Sequence, residues 1–166
     1  MYRRIGDFVT DWEYESGATL KILHLLTDDS LGHRITKEGR SLGFLAWHLV
    51  LTIPEMGSKM GLQVTGPAEE SEQPSQASEI ALTYDISARS VLEAVQRSWD
   101  DARLDDKIDM YGEMWTRGAA LASLVRHQIH HRAQMTVLMR QAGLKVPGIY
   151  GPSREEWSEM GMTAPQ

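Results

Sequence analysis

The sequence predicts an all-α fold, a four-helix bundle with long connections. Four segments place apolar residues at steps of three and four, and the stretches between them are polar or rich in Gly and Pro. The 166 residues are 42% hydrophobic and 24% charged, the size and balance of one soluble core. A single domain over residues 1–166 is expected, with residues 64–79 as a solvated loop and residues 144–166 as an irregular tail. No internal repeat, low-complexity tract or long heptad run interrupts that reading.

The first segment carries Ile5, Phe8, Val9, Trp12, Leu20, Leu23 and Leu26, with Ser16 and Thr19 filling the stripe, and predicts a helix from about residue 2 to 27. Asp28, Asp29, Ser30 and Gly32 break the period. A second helix is expected to begin at Ser41, whose hydroxyl can accept from an unpaired amide of the first turn. Its inner stripe reads Phe44, His48, Leu51 and Glu55, and Pro54 should kink or restart it near residue 53.

Residues 64–79, VTGPAEESEQPSQASE, offer little to bury and read as a loop between the two halves of the domain. The third helix is expected to start after Asp85 or Ser87, with Ala88, Val91, Leu92, Val95, Trp99 and Ala102 as its buried face. Residues 103–117 lose the period and predict a long connection containing a short extended piece. The fourth helix, about 118–141, carries Leu121, Leu124, Val125, Ile129, Met135, Leu138 and Met139, and Gly143 supplies a left-handed stop. In the tail, Ser153 and Glu156 can cap a short helical turn to about residue 160.

The composition excludes several classes of function. With 17 Lys and Arg against 23 Asp and Glu, the net charge is −6 and the acids are scattered, so no nucleic acid is expected as a partner. Zero Cys removes disulfides, thiolate catalysis and Cys-type metal sites. Charges at Arg3, Arg4, Asp7 and Asp11 leave no signal-peptide core. The apolar stretch Phe44 to Leu51 is far short of the roughly 20 residues a membrane helix needs, so a cytoplasmic protein with no membrane partner is expected.

The chemistry lies in the histidines. A core-facing path on the fourth helix runs Ala120, Leu124, His127, His131, Met135, Leu138, so two imidazoles replace apolar residues in mid-stripe. At i, i+4 their Cβ atoms stand about 5 to 6 Å apart, close enough for both rings to converge on one ion. A surface His pair at that spacing is common and means little. Here both lie in the core register, and His48 takes the matching place on the second helix. Packing those helices together brings three imidazoles into one cavity, a donor set suited to divalent Zn, Ni, Cu or Fe with a coordination position left open. Occupancy should weaken as pH falls through roughly 6.5, where free imidazoles protonate.

The other candidates read as structural or solvated. His130 competes with His131 but lies off the core line beside Gln134. His24 and His33 read as solvated, as do Arg126 and Arg132, although either Arg could attract an anion at a pocket mouth. Glu55 is a candidate base or additional ligand whose direction Pro54 obscures. Trp12, Trp47, Trp99, Trp115 and the nine Met read as packing.

The stretch LVRHQIHHRAQMTVLMRQAGLKVPGIYGP, residues 124–152, resembles the DinB-like (DinB/YfiT) family of metal-binding four-helix proteins. LGFLAWHLV at residues 42–50 and YGEMWTRG at residues 111–118 extend the resemblance over most of the chain. Ala133 departs from it, standing where relatives commonly have Gly. The resemblance implies a bundle of unusual connection order, frequent homodimers, and a divalent ion, often nickel or zinc, whose ligands fall on His48, His127 and His131. The resemblance and the open coordination position together leave three functions to weigh. The first is metal-dependent transfer of a low-molecular-weight thiol to a small electrophile. The others are a metal-dependent hydrolase and a non-enzymatic stress-response protein that binds metal or a small ligand.

Overall fold

The computed structural model describes residues 1–165. Helix α1 spans Ile5–Leu23, shorter at both ends than the expected range of about 2 to 27. Its first turn is capped from a distance: the Ile5 amide donates to Asp101 Oδ1 at 2.7 Å. At the other end Leu26 stays buried but leaves the helix, because Thr27 accepts from the Ser30 amide and starts a 3-10 turn, Asp28–Ser30.

Helix α2, Leu42–Lys59, begins where expected, with Ser41 Oγ accepting from the Phe44 amide at 3.1 Å. It is not remade at residue 53; the helix continues through Pro54 to Lys59. An interior Pro costs about 3 kcal/mol. Burying Ile53 and Met56, both nearly inaccessible, offsets this at about 1.5 to 3 kcal/mol each.

Helix α3, Ala77–Ser98, starts well before Asp85 and Ser87, so the preceding connection runs over residues 60–76 and ends three residues before the expected 64–79 loop does. The Ala77 amide donates to Asp28 Oδ1 at 2.7 Å, a cap from a different segment. Ile80, Ala81 and Tyr84 extend the buried stripe forward, whereas Asp85 pairs with Arg89 one turn on. At the other end Trp99 is buried outside the helix and Ala102 is exposed, in the 3-10 turn Asp101–Asp105.

The extended piece in the long connection is a hairpin. Strands β1, Lys107–Met110, and β2, Glu113–Thr116, pair antiparallel with Lys107 opposite Thr116 and Met110 opposite Glu113. Its two-residue turn puts Tyr111 at φ 60° and Gly112 at φ 85°, the left-handed pair that matches strand twist. Helix α4, Arg117–Gln141, follows at once and ends before Gly143 at φ 75°. A last short helix, α5, spans Arg154–Glu159, with Glu156 accepting from the Ser153 amide at 3.0 Å.

Both α1 and α2 pack against α3 and α4, which sets α1 diagonally across from α2. The chain therefore crosses the bundle between its first two helices. The core runs from Phe8 and Trp12 through Leu49, Ile53, Ile80 and Val91 to Leu124 and Met135. Among the described residues no helix is long and apolar enough to cross a membrane.

Candidate metal centre

The antiparallel contact of α2 with α4 determines which side chains meet. Leu45 and Leu138 line one depression, and Gln128 reaches the Leu49 carbonyl. Between those levels His48 of α2 faces His127 and His131 of α4. The ring centroids are 4.9 Å apart for His48 and His127, 4.8 Å for His48 and His131, and 4.5 Å for His127 and His131. One nitrogen from each ring lies within 4.8 Å of the others. The structure thus brings together the three histidines selected from the sequence.

Their depth differs from expectation. His131 is buried, whereas His48 and His127 are half-buried, so solvent reaches one side of the cluster. On α2 the innermost residues are Leu42, Leu45, Ala46, Leu49, Val50 and Ile53, while the stripe Phe44, His48, Leu51, Glu55 forms its flank. Phe44 is 44% exposed and stacks on His48 at 6.0 Å, making one wall of the site's mouth.

Hydrogen bonds orient the donors. His131 Nδ1 lies 2.7 Å from Gln134 Oε1, which can only accept, so Nδ1 carries the proton and Nε2 presents its lone pair. Gln134 in turn donates through Nε2 to exposed His130 at 3.1 Å, placing His130 outside the cluster as a support of Gln134. His48 Nε2 and His127 Nε2 face each other at 3.1 Å, and His127 Nδ1 is buried with no partner among the described residues. Two nitrogens bound at about 2.0 to 2.1 Å to one tetrahedral ion stand about 3.3 to 3.4 Å apart, so the observed approach needs little change to fit one.

The surroundings hold the rings neutral. Burial, then the neighbouring His131 and Arg40, lower the His48 pKa to about 4. His127 is lowered to about 4 by burial and the charges of His131, His48, His130 and Arg40. Burial also lowers His131, against the opposing effect of its bond to Gln134. The pH limit for ligand protonation therefore lies well below the 6.5 of free imidazole for His48 and His127.

Two polar anchors fix the helices around the cluster. Gln128, fully buried, donates to the Leu49 carbonyl at 3.3 Å and accepts from Tyr84 at 3.0 Å, tying α4 to α2 and α3. Arg132 is buried rather than solvated: it donates to Glu15 Oε2 at 2.5 Å, to the Glu15 carbonyl at 2.9 Å and to Tyr150 at 2.7 Å. The only hint in the sequence is position, since both residues directly follow a ligand candidate on a helix with more than one buried face.

Glu55 does not join the cluster. It accepts from Tyr111 at 2.8 Å and pairs with Lys59, so it holds the hairpin tip. His24 is exposed, His33 is half-buried, and Arg126 is exposed and donates to the Ala122 carbonyl. Trp12, Trp47 and Trp99 are buried and Trp115 is half-buried, consistent with packing.

The chain matches the model of the DinB family over residues 1–163. It is 43% identical over 166 residues to the uncharacterised protein YrdA of Bacillus subtilis (strain 168), covering 100% of this chain and 99% of that protein. Its fold superposes on the crystal structure of a DinB-like protein from Bacillus cereus ATCC 10987 with a TM-score of 0.87 at 42% identity, covering 90% of this chain and 100% of that one. A second DinB-like protein, YjoA of Bacillus subtilis, superposes with a TM-score of 0.69 at 18% identity over 89% of this chain and 99% of its own, which speaks for the fold alone.

Proposed function

We propose that this chain, which belongs to the DinB family, holds one divalent ion, zinc or nickel, on His48, His127 and His131 and uses it to transfer a small thiol to an electrophile. The observation that carries the metal reading is the convergence of three imidazoles, one nitrogen from each within 4.8 Å of the others. When bound, such an ion supplies a Lewis acid that makes a coordinated thiol or water more acidic. The chain's own part is positional. Gln134 fixes the His131 tautomer, Gln128 and Arg132 hold α4 against its neighbours, and Phe44 covers His48 while leaving the mouth open.

In the transfer, the thiol proton is lost, a carbon–sulfur bond forms to the electrophile, and the leaving group departs with the bonding pair. Solvent access at His48 and His127 gives the small reactants a way in. The low-molecular-weight thiol and a homodimeric assembly belong to this proposal on family likeness.

The test is elemental metal content of the purified chain, prepared without a His-containing tag, beside folded His48→Ala, His127→Ala and His131→Ala variants. Near one ion per chain, lost in each variant, is expected. No ion after supply of zinc or nickel at neutral pH overturns the proposal. The loaded protein is then mixed with an aryl halide with and without thiol. Thiol-dependent thioether formation is expected; hydrolysis without thiol would favour a hydrolase, and neither would favour a metal or ligand-binding protein.

A further inference from the structure

Beside the histidine cluster lies a cavity of about 620 Å³, within the roughly 300 to 1,000 Å³ usual for small-molecule sites. It opens between the connection preceding α2 and the outer half of α4. Ile35, Leu45, Val137 and Leu138 give it an apolar wall, although Ile35 is 64% and Val137 48% exposed. Among the described residues its one ionised lining residue is Arg40. Arg40 makes no ion pair among the described residues. Its guanidinium lies 5.1 Å from the centre of the Phe44 ring, and Phe44 stacks on His48. Gln134 lines the same cavity while bonded to His131. Cavity and cluster therefore share a wall.

Arg3, Arg34, Arg97, Arg126 and Arg154 likewise make no ion pair among the described residues, and Arg40 differs from them in standing at the rim of this apolar depression. Its guanidinium favours an anion and disfavours a cation, and its planar fork suits a carboxylate. The apolar wall favours burial of a hydrocarbon or aromatic body.

We propose that this cavity binds a small molecule with an apolar body and one carboxylate, the carboxylate on Arg40 and the body against Ile35, Leu45, Val137 and Leu138. As the substrate class of the neighbouring centre, this rests on the metal reading above. Binding itself requires only the cavity.

The experiment titrates 4-phenylbutyrate, and the uncharged 4-phenylbutan-1-ol as its control, into full-length protein by calorimetry. Chelator-treated and zinc-loaded forms are measured in parallel. The acid is expected to bind about tenfold more tightly than the alcohol, the worth of one charge-assisted hydrogen bond. Arg40→Gln should abolish that difference, and Arg40→Lys should keep part of it. Val137→Trp, at a half-exposed position, should fill the cavity and weaken both probes. Equal binding of acid and alcohol, or acid binding indifferent to Arg40→Gln, overturns the proposal. Probe affinity that falls as protein concentration rises also overturns it, in favour of a second copy covering the cavity. Arg40-dependent binding in a chain that takes up no metal supports the site and refutes only the centre; a loaded chain that binds neither probe does the reverse.

Discussion

Replacing Arg132 with Met should cost far more than a surface charge. The guanidinium is 3% exposed and its partner Glu15 is 7% exposed. Removing it leaves the Glu15 carboxylate with the Tyr150 hydroxyl, at 2.7 and 2.8 Å from its two oxygens, as its remaining side-chain donor. Stranding a buried charge in this way costs about 3 to 5 kcal/mol. At about 2.1 cal/mol/K per residue, 166 residues give an unfolding entropy of roughly 350 cal/mol/K, so the melting temperature should fall by about 9 to 14 °C. Calorimetry on chelator-treated protein is the assay, because a bound ion would add its own stabilisation. If the penalty is the stranded carboxylate, Glu15→Leu combined with Arg132→Met should recover more than half of the loss. A single-variant loss below about 3 °C, or a double variant no better than the single, would refute the reasoning.

Gln134→Leu removes the acceptor that fixes the His131 tautomer from an exposed position, and metal affinity should drop about 10- to 100-fold with little loss of stability. Gln134→Glu, which keeps an acceptor, should retain most of the affinity; chelator competition measures both, and an unchanged Kd for the Leu variant would count against the assignment. For pH, His48 and His127 titrate near 4 in the folded chain, below the roughly 6.5 of the unfolded one. Folding stability from these rings is thus complete above pH 6.5 and lost as pH falls toward 4, because the unfolded chain takes up the protons first. The melting temperature of the metal-free parent should fall over that window more steeply than that of a His48→Asn, His127→Asn double variant. Parallel curves would remove the burial argument.

The three histidines were legible because two stand one turn apart in the apolar stripe of α4 and the third interrupts the most apolar segment of the chain. Their spacing encodes proximity once helices form. The depth of His48 was not legible, since α2 is apolar almost all round and its period does not single out one face. The start of α3 was hidden for another reason: its cap comes from Asp28, across the fold, and no local residue announces it. Arg132 reads as a solvated charge because a helical period ranks faces by apolar content and cannot show it meeting Glu15 across a packed interface.

These polar contacts explain why the cluster sits where it does. Over six residues α4 addresses all three of the other long helices: His127 and His131 turn toward α2, Gln128 reaches Tyr84 of α3 across the core and Leu49 of α2, and Arg132 reaches Glu15 of α1. Apolar packing alone tolerates small slides of one helix along another, since methyl groups have no fixed partners. Buried hydrogen bonds do not, because a slide leaves each one unmade in a medium of low dielectric. Gln128 and Arg132 each follow a ligand candidate by one residue, so the contacts that stop α4 from sliding or rotating also set the direction of His127 and His131. A site made of two half-buried rings and one buried ring, on two helices distant in sequence, thereby inherits its precision from the buried side of the same helical turns.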